Sequence, residues 1–359
     1  MPRNRAQSLN VRLPGSAHPD AKCDAVLAAV IGGGRLSDGR VLFLYETAAS
    51  FVDTDLAILE SRYDVTPKEC SRGSNLTEIT RAVLRTDASY SWFALGHAAR
   101  AVLAAKILGR PSVIVSGGWD VISMPEIAYG AARSVRGRLR ARFALRGGTR
   151  VLAFSEWSRA AIRGLSGREA DLLYLGVDVD RYRPAGTKED LVITAGTLSR
   201  ENLARKGLET FVRAAAHLPS VRFVLVGKSV DDSAEFLRRI ATPNVEFAGW
   251  LGQEPLLRLL QCAGAYVQVS YNEGFGLALA EGMACECVPV VTREGALPEV
   301  AGDVGMYVPY GNVPATADAI REALGSRRGA DARRRIQGNF PLARRREGVL
   351  ALMRSLLGG

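Results

Sequence analysis

From residue 41 to residue 291, short apolar runs alternate with longer stretches whose apolar residues recur at helical spacing, and few folds accept that alternation. Residues 41–45, 112–115 and 151–154 read as buried strands, with a helix over 55–60. A segment rich in charge and carrying Pro184 and Gly186, over 178–186, then reads as a linker. Beyond it the pattern restarts more regularly. Strands are predicted at 191–195, 221–226, 245–247, 265–269 and 288–291, and helices at 206–217, 231–240, 253–262 and 277–284. Strands alternating with helices imply a parallel sheet covered on both faces. The chain therefore reads as α/β, with two doubly wound halves facing each other across a cleft where the strands' carboxyl ends bind ligand. The boundaries that follow are an extension over 1–40, a first domain over 41–180, a second over 181–340 and a terminal segment over 341–359.

The length of 359 residues leaves room for two such domains. With 47% hydrophobic and 23% charged residues, intrinsic disorder cannot describe most of the chain. Its longest apolar run, 25–31, is far short of the roughly 20 residues that span a bilayer. Asp20, Lys22 and Asp24 before that run argue against an export signal, so a cytoplasmic location is expected. Five cysteines without a Cys-x-x-Cys pair, and three scattered histidines, make poor disulfide or metal frameworks, and no metal is expected. The net charge of +10 suits phosphate-bearing partners. Yet only six of the 47 basic residues are lysine, an arginine skew that a GC-rich genome also produces.

The sharpest motif is Glu273-Gly274-Phe275-Gly276-Leu277-Ala278-Leu279-Ala280-Glu281, two carboxylates joined by a Gly-x-Gly turn that opens a helix. Glu273 falls in the loop after a strand and Glu281 about two turns into the helix, so both can face one cleft at different depths. Backbone N–H groups at Phe275 to Leu277 are unsatisfied helix-start donors suited to phosphate or sugar oxygens. A carboxylate can accept two hydrogen bonds, matching vicinal hydroxyls on a ribose or hexose. The second motif is the loop from Thr197 to Gly207, whose cations Arg200, Arg205 and Lys206 suit a diphosphate, or else form a solvated basic loop.

These pieces and their neighbours resemble glycosyltransferase family 4, the retaining Glu-x7-Glu enzymes of GT-B fold. The likeness runs through Leu175-Gly176-Val177-Asp178, Arg205-Lys206-Gly207, Val224-Leu225-Val226-Gly227 and Asn244-Val245-Glu246-Phe247-Ala248-Gly249. It continues through the Glu-x7-Glu block, Val288-Pro289-Val290-Val291 and Gly295-Ala296-Leu297-Pro298-Glu299-Val300. The resemblance implies two Rossmann-like domains and a last helix that crosses back to the first. It implies that Glu281 holds the nucleotide ribose, that Glu273 meets hydroxyls of the transferred sugar, and that Lys206 binds the donor diphosphate. For the arginine partner of Lys206 the reading takes Arg200 first and Arg205 second, because Thr197 follows Gly196 where the family has Gly-Arg. Gly274, Phe275, Gly276 and Leu277 supply the helix start.

Three departures stand out. Where many members have a histidine near the reacting carbon, this chain reads Val115-Ser116-Gly117-Gly118-Trp119-Asp120. Asp120 is the ionisable group nearest that spot, or alternatively a helix cap, while His97 lies on another segment. The glycine-rich turn after the first strand is absent, and Gly117-Gly118 can serve instead. Cys285-Glu286-Cys287 stands where the family has a Cys-Gly turn, with one residue more.

The reading is thus a metal-independent, retaining transfer of sugar from a nucleotide diphosphate sugar, UDP- or GDP-linked, with no further cofactor. The acceptor is a hydroxyl of a glycan, lipid or small molecule. The alternative is a non-catalytic sugar-nucleotide or polyanion-binding protein of the same fold. Without an aromatic platform nucleic acid is a poor partner. The Asp-x-Asp triplets at 53–55 and 178–180 are set aside as metal sites, the first starting a helix and the second lying in the linker. Gly32-Gly33-Gly34 lacks the strand-to-helix setting of a dinucleotide loop. Arg133 to Arg150, with Val135, Leu139, Phe143 and Leu145 interleaved, form a basic amphipathic stretch suited to an anionic membrane, to an acidic acceptor, or simply to solvent.

Overall fold

The computed structural model describes residues 37–70 and 75–358, so most of the extension expected over 1–40, with its triple glycine, lies outside the described residues. All the described residues but Ser37 fall in the unit Asp38–Gly359. Its first half alternates β1 (Arg40–Tyr45), α1 (Ser50–Glu60), β2 (Asp64–Glu69), α2 (Leu76–Leu84), β3 (Ala88–Trp92), α3 (Gly96–Leu108), β4 (Ser112–Ser116), α4 (Val135–Gly147), β5 (Arg150–Ala153), α5 (Glu156–Ser166) and β6 (Asp171–Leu172). The six strands are parallel in the order β2-β1-β3-β4-β5-β6. Central strands β3 and β4 are buried along their whole length, as a sheet covered on both faces requires.

The second half follows with β7 (Glu189–Ala195), α6 (Arg200–Arg205), α7 (Leu208–Ala214), β8 (Arg222–Val226), α8 (Ser233–Ile240), β9 (Val245–Gly249), α9 (Gln253–Cys262) and β10 (Ala263–Gln268). It closes with α10 (Leu277–Ala284), β11 (Val288–Val291), α11 (Leu297–Ala301), β12 (Met306–Tyr307), α12 (Val313–Leu324) and α13 (Gly329–Asn339). Its parallel sheet runs β12-β11-β10-β7-β8-β9, the doubly wound order in which connection direction reverses between β7 and β10. In the first sheet the reversal lies between β1 and β3. Those two points, at the carboxyl ends of the strands, are where such sheets open a ligand crevice.

A last helix, α14 (Leu342–Leu357), leaves the second half and packs on α1, as expected for a crossover helix. Where the chain crosses, Val177 N–H donates to the Phe340 carbonyl (2.9 Å) and Leu342 N–H to the Val177 carbonyl (2.8 Å). Arg345 anchors the crossover. Its Nε and Nη2 reach the two oxygens of Asp55 at 2.7 and 2.6 Å, and Nη1 donates to the Leu173 and Tyr174 carbonyls. The Tyr90 hydroxyl completes the group by donating to Asp55 at 2.7 Å. Asp55 is thus engaged in packing, and Asp178 accepts from the Asp180 and Arg181 N–H groups, closing a turn. The extra residue at the turn from α10 into β11 is Glu286, held at φ +69, a left-handed conformation that disfavours a side chain by roughly 1 kcal/mol. Among the described residues no helix is long and apolar enough to cross a membrane.

Candidate donor site at the second sheet's reversal point

The segment after β7, read from sequence as a loop, folds as the helix α6, with Ser199 capping it by accepting the Asn202 N–H at 3.2 Å. At about 100° per residue, Arg200 and Arg205 point about 140° apart. Arg200 therefore stands on the solvent side, paired with Asp232 at 2.5 Å and with its side chain 76% exposed. It does not join Lys206. Arg205 does: its side chain is 11% exposed, its Nε donates to Asn202 Oδ1 (3.0 Å) and its guanidinium lies 4.8 Å over the Tyr129 ring.

Glu273 faces these cations from the loop after β10. Its Oε2 accepts from Lys206 Nζ at 3.2 Å and from Gln268 Nε2 at 2.7 Å, with Arg205 Nη1 at 3.7 Å. Burial alone would raise the Glu273 pKa, but Lys206 and Arg205 outweigh it and hold the carboxyl below its ordinary range. For Lys206, burial wins and the ammonium titrates below its ordinary value, with Arg205 adding to the depression and Glu273 opposing it. Gln268 carries a buried Oε1 with no hydrogen-bond partner. Gly295 fixes the loop: at φ +62, with a Cβ there falling 2.7 Å from the Glu273 nitrogen, only glycine fits.

Gly276, at φ +93, starts α10, and no side chain caps that helix. Its first unpaired N–H groups are those of Leu277, Ala278 and Leu279, so of the donors expected at Phe275 to Leu277 only Leu277 belongs to the helix start. The Phe275 side chain itself is buried against Tyr174 and Phe340 at the crossover. Further along α10, Glu281 is pushed up to about 7 by burial, against a hydrogen bond from the Tyr182 hydroxyl and the nearby charge of Arg181. Both carboxylates act on Tyr266, which burial and the two charges push up.

A carboxyl titrating near 7 in the folded protein and near 4.5 unfolded holds a proton that the unfolded chain has lost across that window, so stability falls as pH rises through it. Glu281→Gln removes this cost. In thermal melts the variant should unfold later than wild type at pH 8, with the gap closing toward pH 4; a gap that does not change with pH would show that Glu281 titrates normally.

The first half meets this site directly. A Cβ on Gly274 would lie 3.1 Å from the Phe154 ring and 3.5 Å from the Gly117 carbonyl, and Gly118 packs beside Phe154 and Phe93. Ser155 Oγ donates to the Gly274 carbonyl at 2.8 Å, and the Tyr271 hydroxyl donates to Glu126 at 3.1 Å. Glu299 accepts the Glu156 and Trp157 N–H groups at the start of α5, both at 2.7 Å. Asp120 is fully buried and organises this turn: it accepts from Ala94 N–H, Ser116 Oγ, Gly117 N–H and Gly118 N–H. It sits in a turn and caps no helix. Burial raises its pKa against those four donors. His97 donates from Nε2 to the Trp92 carbonyl at 2.9 Å, and burial lowers its pKa to about 4.

The structure therefore gathers Arg205, Lys206, Glu273 and Gln268 at the β7/β10 reversal, with the α10 start, Glu281, Gly117 and Gly118 around them. Arg200 stays outside. Asn202, Gln268, Tyr182 and Ser155 went unnoticed in the sequence, since a single polar residue at a strand or helix end carries no spacing signal.

Comparison with known proteins bears on the fold and on the second half of the chain. Residues 189–326 match the family model described as glycosyl transferases group 1. The group 1 match starts on the first residue of β7 and ends just past α12. Among curated relatives, the lipopolysaccharide core biosynthesis mannosyltransferase LpcC of Rhizobium leguminosarum is 29% identical over 208 residues, 51% of this chain and 59% of that protein. The D-inositol 3-phosphate glycosyltransferase of Mycobacteroides abscessus is 31% identical over 172 residues, 43% of this chain and 39% of that one. The matches thus span about half of the chain and from two fifths to three fifths of these relatives. Among solved structures, HepE of Anabaena in complex with UDP-glucose superposes with a TM-score of 0.74 at 17% identity, covering 89% of this chain and all of that one. Sucrose-phosphate synthase from Thermosynechococcus elongatus gives 0.72 at 18% identity, over 88% and 98%. The fold is GT-B: two Rossmann-like domains facing across a cleft.

Proposed function

We propose that this protein is a retaining, metal-independent glycosyltransferase that moves a sugar from a nucleotide diphosphate sugar, UDP- or GDP-linked, to an acceptor hydroxyl, with no further cofactor. The observation that carries the reading is Glu273 bound to Lys206 and Gln268 beside Arg205, at the reversal point of a doubly wound sheet that matches glycosyl transferases group 1. Relatives named as a mannosyltransferase and as inositol phosphate glycosyltransferases, and a neighbour of this fold solved with UDP-glucose, support it.

In this mechanism Lys206, Arg205 and the α10 start take up charge on the diphosphate as the bond from the sugar's anomeric carbon breaks. The cations already neutralise that charge, which is why the reading needs no metal. Glu273 orients the sugar through its hydroxyls and Glu281 holds the ribose. The acceptor enters from the first domain, on the face the diphosphate leaves, and its oxygen bonds to the anomeric carbon. Asp120 is saturated with hydrogen bonds, so the acceptor's proton passes to the departing phosphate oxygen.

The test is thermal unfolding with UDP, GDP and ADP in turn, on wild type and Glu281→Ala. A nucleotide at 100 times its dissociation constant adds about 2.7 kcal/mol. One nucleotide should raise the wild-type melting temperature and leave the variant unmoved. No rise with any of the three would favour the non-catalytic polyanion binder.

A further inference from the structure

The first sheet has its own reversal point, and it opens a different cavity. A hollow of about 790 Å³ lies there, lined by Glu46 from the end of β1, by Leu95, Gly96 and His97 after β3, and by Trp119 and Gly130. Four arginines complete its wall: Arg100 from α3, and Arg133, Arg136 and Arg140 at and within the start of α4. Arg100 and Arg140 come together over Gly96, where a Cβ would lie 3.4 Å from one guanidinium and 3.9 Å from the other side chain's Cδ. Among the described residues none of the four makes an ion pair with a carboxylate, and Glu46 is the one acid in the wall. The floor is the N-terminus of the thirteen-residue helix α3, which no side chain caps. His97 there is neutral near pH 7.

Four unpaired guanidiniums and free helix-start N–H groups around one hollow make a site for a multiply charged oxyanion. The hollow also adjoins the donor site. Trp119 and Gly130 line it, while Gly117, two residues before Trp119, places its carbonyl beside Gly274, and Tyr129, next to Gly130, lies under the Arg205 guanidinium. We infer that this cavity seats the acceptor by a phosphate group, so that the hydroxyl to be glycosylated belongs to a phosphorylated molecule. The inference rests on the transferase reading for the word acceptor, and on the cavity alone for the phosphate.

Inorganic phosphate is the probe. With the stabilising nucleotide saturating, so that the donor site is filled, phosphate should raise the wild-type melting temperature further than chloride at equal ionic strength. That second rise should vanish in Arg100→Gln/Arg140→Gln and shrink in Arg133→Gln/Arg136→Gln, whose side chains are exposed and make no hydrogen bond or ion pair among the described residues, while the nucleotide rise stays. A phosphate rise that survives both variants, or no rise in wild type, overturns the inference. A phosphate response in a protein that answers to no nucleotide would sink the transferase and leave the anion site standing. Co-sedimentation with phosphatidylglycerol vesicles, against phosphatidylcholine, tells the sources apart. Sedimentation lost in Arg100→Gln/Arg140→Gln assigns the phosphate to a lipid headgroup, and a wild type that stays in the supernatant assigns it to a soluble acceptor. Sedimentation that survives the substitutions excludes the lipid as this cavity's ligand.

Discussion

Lys206→Ala should lower kcat by about 10²–10³-fold with the donor saturating, the loss typical of removing one preorganised group from a developing negative charge. The magnitude is at the upper end for a surface cation because Lys206 is not at the surface: its side chain is 17% exposed and its ammonium lies 3.2 Å from Glu273. In such a site water cannot replace the lost charge. Truncation also leaves Glu273 with Arg205 at 3.7 Å as its remaining cation, so the sugar's hydroxyls meet a carboxylate that has lost its closest positive charge and keeps Gln268 as its hydrogen-bond partner. Arg200→Ala is the matched control, since that arginine pairs with Asp232 in solvent. Initial-rate kinetics on the two variants decide the point. Equal losses would return Arg200 to the site and contradict the geometry of α6.

Arg345→Ala should cost about 3–5 kcal/mol of stability, read from urea unfolding, because it strands a buried carboxylate. Asp55 is fully buried, with Arg345 and Tyr90 as its partners. The loss is a large part of the 5–15 kcal/mol typical of a folded domain, so the variant should also populate the unfolded state measurably on modest warming. Asp55→Leu/Arg345→Met, which removes both charges and keeps volume, should recover most of it. A double variant no better than Arg345→Ala would place the cost in the groups both changes leave unpartnered, the Leu173 and Tyr174 carbonyls and the Tyr90 hydroxyl, and not in the ion pair.

The second domain was far more legible than the first. Helices 253–262 and 277–284 and strand 288–291 fall where their spacing put them, because their apolar residues are dense and their ends carry turn residues. In the first domain β2 and β3 escaped. β2 reads Asp-Val-Thr-Pro-Lys-Glu, an edge strand whose proline and charges are what an edge tolerates. β3 reads Ala-Ser-Tyr-Ser-Trp and lies fully buried mid-sheet, so its serines hide a core strand behind polar letters. At the site, Glu273 and Glu281 were legible from the seven-residue spacing between them, and Lys206 from the resemblance of Arg205-Lys206-Gly207. The choice between Arg200 and Arg205 depended on whether six residues coil, and a cap at Ser199 with helix-forming residues after it was the one local sign that they do.

The pairing of Asp55 with Arg345 also sets an order of events during synthesis. The two residues are 290 positions apart, and at 5–20 residues per second about 15–60 s separate their appearance on a ribosome. The nascent first domain has every strand of its sheet, yet it lacks the helix that covers α1 and the cation that neutralises its buried acid. The second domain, emerging later, contains all its own parts except what the crossover supplies. Completion therefore runs against the direction of translation: the half made first is the half that closes last.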